Sequence, residues 1–138
     1  MINIKRGEIY MANLPKAGGS IQHGYRPVVI VQNNIGNKFS PTTIVVPITT
    51  KKKNKNYMPT HIKVNRLKEL SKDSVVLCEQ ILTINQKDLD KPIGKLNRRK
   101  MSEINVALVV SIIPGLIEAA CQMYKIKNRT VVEKTELN

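Results

Sequence analysis

Two side chains in this sequence have the types and the spacing to grip a phosphodiester. Arg26 sits at the mouth of the apolar run Gly24-Tyr25-Arg26-Pro27-Val28-Val29-Ile30-Val31-Gln32-Asn33, and Thr49 lies at the far end of the next, Ser40-Pro41-Thr42-Thr43-Ile44-Val45-Val46-Pro47-Ile48-Thr49. Hairpin-like pairing of the two runs brings guanidinium and hydroxyl to one rim of a small β-barrel. The planar guanidinium fork can hold two phosphate oxygens, and the threonine hydroxyl can donate to a non-bridging oxygen. In RNA the substrate carries its own nucleophile, the ribose 2′-hydroxyl. A protein then has only to align it, assist proton transfer and stabilise charge on a phosphorane-like transition state. Arginine is a poor general base because its pKa lies far above working pH, so Arg26 is an electrostatic stabiliser first and a proton donor second. By residue type alone a plainer reading outweighs this one: a solvated strand-end arginine and an ordinary β-forming threonine.

Other chemistries find little support. The ten acidic residues are scattered, without D-x-D, HExxH or EF-hand spacing, so no metal site is expected. His23 and His61 lie too far apart in sequence to signal an acid/base pair, and structural duty is the favoured reading for both. A Walker loop, a Gly-x-Ser-x-Gly elbow and a dinucleotide fingerprint are absent, and no cofactor is expected. Cys78 and Cys121, far apart and without CxxC spacing, suggest neither a disulfide framework nor zinc. A reducing, cytoplasmic setting fits them best, with Cys78 a small core residue. The first residues lack the apolar stretch of a signal peptide. The longest apolar run, Val106 to Ala120, is shorter than a membrane span and is broken by Ser111, Pro114 and Gly115.

The elements that must position Arg26 and Thr49 read as one domain of short strands. A chain of 138 residues, 41% hydrophobic, is the size of a single core. Ile9 to Leu14 reads as a strand, Pro15 to Gly24 as a flexible loop, and Arg26 to Gln32 as a central strand buried on both faces. Asn33 to Pro41 marks a turn or one helical turn, and Thr42 to Thr49 the third strand. Pro47 in that strand has no N–H for a ladder bond and is expected on an edge or at a bulge. Thr60 to Val64, Ser74 to Cys78, Gln80 to Ile84 and Ile93 to Leu96 are further strands. Asn97 is the expected N-cap of a helix with its apolar face on Met101, Ile104, Ala107, Leu108, Ile112 and Leu116, which Pro114-Gly115 should kink or end. The tail, with its Thr130-Val131-Val132 island, reads as either a strand or disorder. The fold class is mainly β with attached helices: a small, SH3-like open β-barrel with a C-terminal helix. Residues 1–116 form the domain, and 117–138 are an extension of uncertain structure.

Formal charge is +13, from 23 Lys and Arg against 10 Asp and Glu, and it points to a polyanionic partner, nucleic acid first. From Lys51 to Lys72 there are eight basic residues against one acid, Glu69, with Lys51, Lys52 and Lys53 opening the run.

Lys5-Arg6-Gly7-Glu8-Ile9-Tyr10, then Arg26-Pro27-Val28, then Asp73-Ser74-Val75-Val76-Leu77-Cys78-Glu79-Gln80-Ile81 resemble the MazF/PemK family of toxin endoribonucleases over about residues 4 to 112. The resemblance implies the CcdB/PemK-like barrel and a homodimer. It implies metal-independent cutting of single-stranded RNA to 2′,3′-cyclic phosphate and 5′-hydroxyl ends, with Arg26 and Thr49 at the positions the family uses for catalysis. It also implies a MazE-like antitoxin whose acidic, disordered tail competes with RNA for one basic groove. Candidate RNA contacts are Ser20, Gln22, Asn33, Asn37, Lys38 and Phe39 on loops, the basic Lys51, Lys52 and Lys53, and Glu79 and Gln80, which match a stretch near the groove. Loop-structure duty is an equal reading for the loop residues, and fixing a backbone amide is one for Glu79. Ile21 and His23 depart from the usual Ser-Glu-Gln-Gly-Gly loop, and Leu82 and Asn85 replace the usual arginine and aspartate. Two non-catalytic readings compete. A CcdB-like gyrase poison depends on a tryptophan near its C-terminus, whereas this chain has no Trp and ends Thr135-Glu136-Leu137-Asn138. A silent RNA-binding barrel would show salt-sensitive binding without products.

Overall fold

The β-branched runs read from the sequence become the central strands of one antiparallel sheet. The computed structural model describes residues 3–52, 57–65, 70 and 72–136. In chain order the elements are β1 (Glu8–Leu14), β2 (Gly24–Ile30), α1 (Asn34–Phe39), β3 (Thr42–Thr50), β4 (His61–Val64), β5 (Ser74–Leu77), β6 (Leu82–Asn85), a 3-10 turn (Gln86–Asp88), β7 (Leu89–Lys95), α2 (Arg98–Ile112) and α3 (Gly115–Glu136). The seven strands follow the order β4-β5-β3-β2-β1-β7, with β6 also paired to β3. Among the described residues the sheet does not close: β4, β6 and β7 each have one unpaired edge.

Side-chain alternation splits the core in two. Ile9, Val29, Val46, Ile48 and Val76 point to the face covered by α2, whose Ile104 and Ala107 are buried against them. Tyr10, Ala12, Val28, Ile30 and Val45 point to the other face, where Ile4, Ile84 and Leu89 close over them. Both faces are therefore buried along residues 28–30 of β2 and 45–48 of β3, which is why these stretches are continuous apolar runs.

Of the two places expected for Pro47, the edge is ruled out and the bulge is found: it lies buried in the central strand β3 opposite Val28, beside an irregularity in the pairing. Its missing donor falls at a gap. One edge of β3 pairs with β6 over Thr42–Val45 and with β5 over Ile48–Thr50, and Pro47 lies between the two partners. From Ile48 to Val45 is three steps on β3, while their partners Val76 and Leu82 are six steps apart, so three extra residues loop out beside Pro47. The bulge is on the partner side and carries Glu79 and Gln80.

Asn97 caps α2 as expected, accepting from Lys100 N at 2.8 Å. The tail is neither strand nor disorder, because α3 runs as a helix through Gly115–Glu136, including Thr130-Val131-Val132. Pro114 stops one helix and also precedes the first turn of the next, and Glu118, Ala119, Ala120, Gln122 and Met123 are strong helix formers. No helix of the described residues is long and apolar enough to cross a membrane.

Gly7 has φ 94° and bonds both ways, its N–H to Ile30 O and its carbonyl to Leu96 N, while a Cβ there would meet the Met101 side chain at 3.3 Å. Arg6 beside it ties the N-terminus to the body, with Nε donating to Val31 O at 2.8 Å and Nη2 to Asn105 Oδ1 at 2.7 Å. Burial holds the Arg6 guanidinium pKa below its ordinary value.

A buried polar knot fixes α1. Asn37 Oδ1 accepts from Thr43 Oγ1 at 2.7 Å and from Gln32 Nε2 at 3.1 Å, and its Nδ2 donates to Gln32 O at 3.0 Å. Gln86 Nε2 donates to Asn37 O at 2.9 Å and Ser40 O at 2.7 Å. Asn37→Leu strands the buried Thr43 hydroxyl and should destabilise the fold by about 2 kcal/mol or more, read as a lower urea midpoint at unchanged slope.

Candidate active site

The register of the central hairpin sets the site. Val28 lies opposite Pro47, and two residues further along each strand come Arg26 on β2 and Thr49 on β3, on the same face of the sheet. Thr49 in turn pairs with Val75 of β5. Where β6 stops covering this face the sheet opens into a cavity of about 740 Å³ lined by the 19–23 loop, Arg26, Thr49, Thr50, Lys52, Tyr57, Met58, His61, Leu77, Glu79 and Gln80. A second cavity of about 330 Å³ shares Arg26, Thr49 and Thr50 and adds Lys72 and Ser74. The arginine and threonine thus form the saddle between two connected depressions.

Arg26 is aimed by its own loop. Nε donates to His23 O at 2.8 Å and Nη1 donates to Gln22 Oε1, leaving Nη2 without a protein partner among the described residues. The loop is held in turn by Gln80, whose Oε1 accepts from Gln22 N at 2.8 Å and whose Nε2 donates to Ser20 O at 3.0 Å. Both ends of the Gln80 amide are therefore engaged in placing Gln22.

Glu79 is fixed by side chains, not by the backbone amide raised as an alternative. Its Oε2 accepts from Thr60 Oγ1 at 3.0 Å and its Oε1 from His61 Nε2 at 2.6 Å. His61 Nδ1 accepts from Met58 N at 3.2 Å, and since a backbone N–H can only donate, the ring proton sits on Nε2 toward the carboxylate. The Tyr57 ring meets His61 edge-on, with centroids 5.7 Å apart. His61 is thus a member of the site that sequence reading set aside. Its signal was non-local, because β4–β5 pairing sets it opposite Leu77, two residues before Glu79. His23 likewise lines the cavity, with Nδ1 3.2 Å from Ile21 O.

The candidate RNA contacts divide. Ser20, Gln22, Lys52, Glu79 and Gln80 line the cavity with Arg26 and Thr49. Lys51 is exposed beside it, its backbone N–H donating to Asp73 O at 3.0 Å. Lys53, with Lys55, Arg66 and Lys68 of the basic run, lies outside the described residues. Asn33, Asn37, Lys38 and Phe39 do not line the cavity: Asn33 caps α1 by accepting from Gly36 N at 2.8 Å, and Asn37 is buried in the knot. Lys38 Nζ stands 5.3 Å from the ring of the exposed Phe39. These four follow the C-terminal end of β2, whereas Arg26 is near its start, and a strand rises about 3.3 Å per residue. Among the described residues, no three His, Cys, Asp or Glu side chains gather as a metal-ligand set.

Fold and site together define a small, open antiparallel barrel whose cleft presents a fixed arginine edge and a hydroxyl to an anion. Residues 5–112 match the PemK-like, MazF-like toxins of type II toxin-antitoxin systems, and the chain belongs to that family. Among solved structures it is similar to an endoribonuclease from a mycobacterial species in complex with its cognate antitoxin, at 25% identity and TM-score 0.66 over 79% of this chain and 94% of that one. It is also similar to the Mycobacterium tuberculosis toxin MazF-mt6, at 27% identity and TM-score 0.62 over 75% and 94%. MazF from Deinococcus radiodurans, 16% identical with TM-score 0.66 over 80% and 96%, shares the fold.

Cys78 is buried next to the site, and burial, with Glu79 adding to it, pushes its thiol up to about 12. The unfolded chain ionises this thiol near 9.0, so the stability it lends is full below that pH and declines as pH rises from there toward 12. In native protein at neutral pH, thiol titration should find the exposed Cys121 reacting fast and Cys78 only on unfolding.

Proposed function

We propose that this chain is the toxin of a type II toxin-antitoxin pair and cuts single-stranded RNA, mRNA above all, at short sequences without a metal ion. The observation that carries the reading is the Arg26–Thr49 pair across β2 and β3, with the guanidinium aimed by His23 O and Gln22 and one edge left open. A scissile phosphate seated there takes bidentate or paired donation from Arg26 and a hydrogen bond from Thr49. Both strengthen as charge builds on the non-bridging oxygens while the 2′-oxygen attacks phosphorus. The P–O5′ bond breaks, leaving a 2′,3′-cyclic phosphate and a 5′-hydroxyl. Ser20, Gln22, Lys52 and Glu79 lie where bases and flanking phosphates would rest, and the excess of basic residues supplies the long-range attraction.

Family membership supports the same reading, as does the likeness to an endoribonuclease bound to its antitoxin. A cognate MazE-like antitoxin with an acidic segment suits this cleft, since carboxylates compete with phosphates for the same cations. A homodimer is proposed on the family's pattern, with Val106, Ile112 and Ile113 of the α2 region exposed on the monomer. A cytoplasmic setting follows from an mRNA substrate. The catalytic unit is placed in residues 1–116, with 117–138 an extension.

Purified protein should cut a long single-stranded RNA in EDTA at discrete positions with cyclic phosphate ends. Arg26→Ala and Thr49→Ala should each lose about 10²–10³ in rate while folding normally, and Arg26→Lys should restore little because a point charge lacks the planar fork. Intact RNA across many substrates, with clean salt-sensitive binding, would favour the silent binding barrel instead.

A further inference from the structure

Hydrogen bonding sorts the proton acceptors around the cavity. His61 has neither nitrogen available, because Nε2–H faces Glu79 at 2.6 Å and Nδ1 accepts from Met58 N. Each oxygen of Glu79 already accepts one hydrogen bond, from Thr60 and from His61. His23 differs. Its Nδ1 lies 3.2 Å from the Ile21 carbonyl oxygen, which can only accept, so in the neutral ring Nδ1 carries the proton and Nε2 holds the lone pair. Nε2 has no protein partner among the described residues, and the exposed ring lines the cavity with Arg26 and Thr49. The residue's own carbonyl receives the Arg26 Nε–H at 2.8 Å, so imidazole and guanidinium hang from one short turn, and Gln80 pins that turn at Ser20 and Gln22.

We infer that His23 is the proton acceptor for the ribonuclease step, an assignment that rests on the function proposed above. As the 2′-oxygen forms its bond to phosphorus, the 2′-hydroxyl proton passes to Nε2. The P–O5′ bond breaks and the departing 5′-oxygen takes a proton from water. The imidazolium returns its proton to solvent at turnover, so the reaction consumes none. Arg26 and Thr49 carry the phosphorane charge throughout and need not change protonation state, which removes the difficulty of asking an arginine to act as base.

The test compares wild type with His23→Ala, His23→Gln, Glu79→Gln and Arg26→Ala on one RNA under single-turnover conditions, with binding followed on the same sequence made as DNA at the cut nucleotide. His23→Ala and His23→Gln should cut about 10²-fold more slowly, with melting temperature and binding unchanged, because the Arg26 anchor is a backbone carbonyl. Free imidazole should restore His23→Ala in proportion to its concentration and do nothing for Arg26→Ala. Cutting by His23→Ala at the wild-type rate overturns the assignment and leaves the nuclease reading intact. So does a slow His23→Ala that ignores imidazole while His23→Gln stays fast. Loss in Glu79→Gln with none in His23→Ala moves the base to the carboxylate and overturns it equally. RNA left whole by wild type removes both readings.

Discussion

The site depends on one strand having two partners along a single edge. β3 is paired to β2 on one side, while on the other β6 gives way to β5 at Pro47. Alternation from Ile44, whose carbonyl accepts from Val31 on the β2 side, turns the Pro47 nitrogen toward the β5–β6 edge. A residue with an N–H there would be left with an unpaired donor in a dry core, costing about 1–3 kcal/mol, and proline has none to leave. The gap is where the three extra residues of the β5–β6 link loop out, and they carry Glu79 and Gln80 to the cavity wall. Beyond the gap β6 no longer pairs with β3, and the row of positions that is hydrophobic core at Val28 and Val45 lines an open cavity at Arg26 and Thr49.

Preorganisation of the cleft passes through side-chain amides. Gln80 fixes the backbone of Ser20 and Gln22, Gln22 fixes Arg26, and His23 supplies the second anchor through its carbonyl. Each bond is modest, about 1 kcal/mol net, yet together they select one guanidinium orientation from the many open to a long, flexible side chain. On the opposite wall Thr60 and His61 do the same for Glu79. Gln22, Gln80, Thr60, His61 and Glu79 thus have partners before any ligand arrives, while the Arg26 edge, the Thr49 hydroxyl, the His23 Nε2 and the remaining carboxylate lone pairs face the cavity without one among the described residues.

What could be read from the sequence was what is local or follows from strand period. The central strands declared themselves because burial on both faces forces continuous β-branched runs, and Arg26 meeting Thr49 follows from pairing two neighbouring strands. The His61–Glu79 contact was hidden because it depends on the β4–β5 register, set by packing across nine intervening residues and not by any motif. Asn33, Asn37, Lys38 and Phe39 were grouped with Arg26 by nearness in sequence, but β2 carries the chain away from the cleft before α1 begins. Pro114 was read as a stop and is also a start, and the β-branched Thr130-Val131-Val132 island was overridden by the helix formers before it.

Net charge does not describe the cleft, even though it describes the molecule. At physiological salt, charges more than about 8 Å apart are largely screened, so the net excess of thirteen positive charges draws polyanions in without distinguishing among them. Within the cavity the charges are mixed: Arg26 and Lys52 face a space that Glu79 also lines. A carboxylate accepts and never donates, and two of its roughly four lone-pair sites remain open here. A ligand that is anionic throughout satisfies Arg26 and is repelled by Glu79. A nucleotide satisfies both, because its phosphate is an acceptor and its base edge offers N–H donors a few ångströms away. On the function proposed above, the fixed carboxylate is the group that would favour a phosphate carrying a donor-bearing base over other polyanions in this cleft.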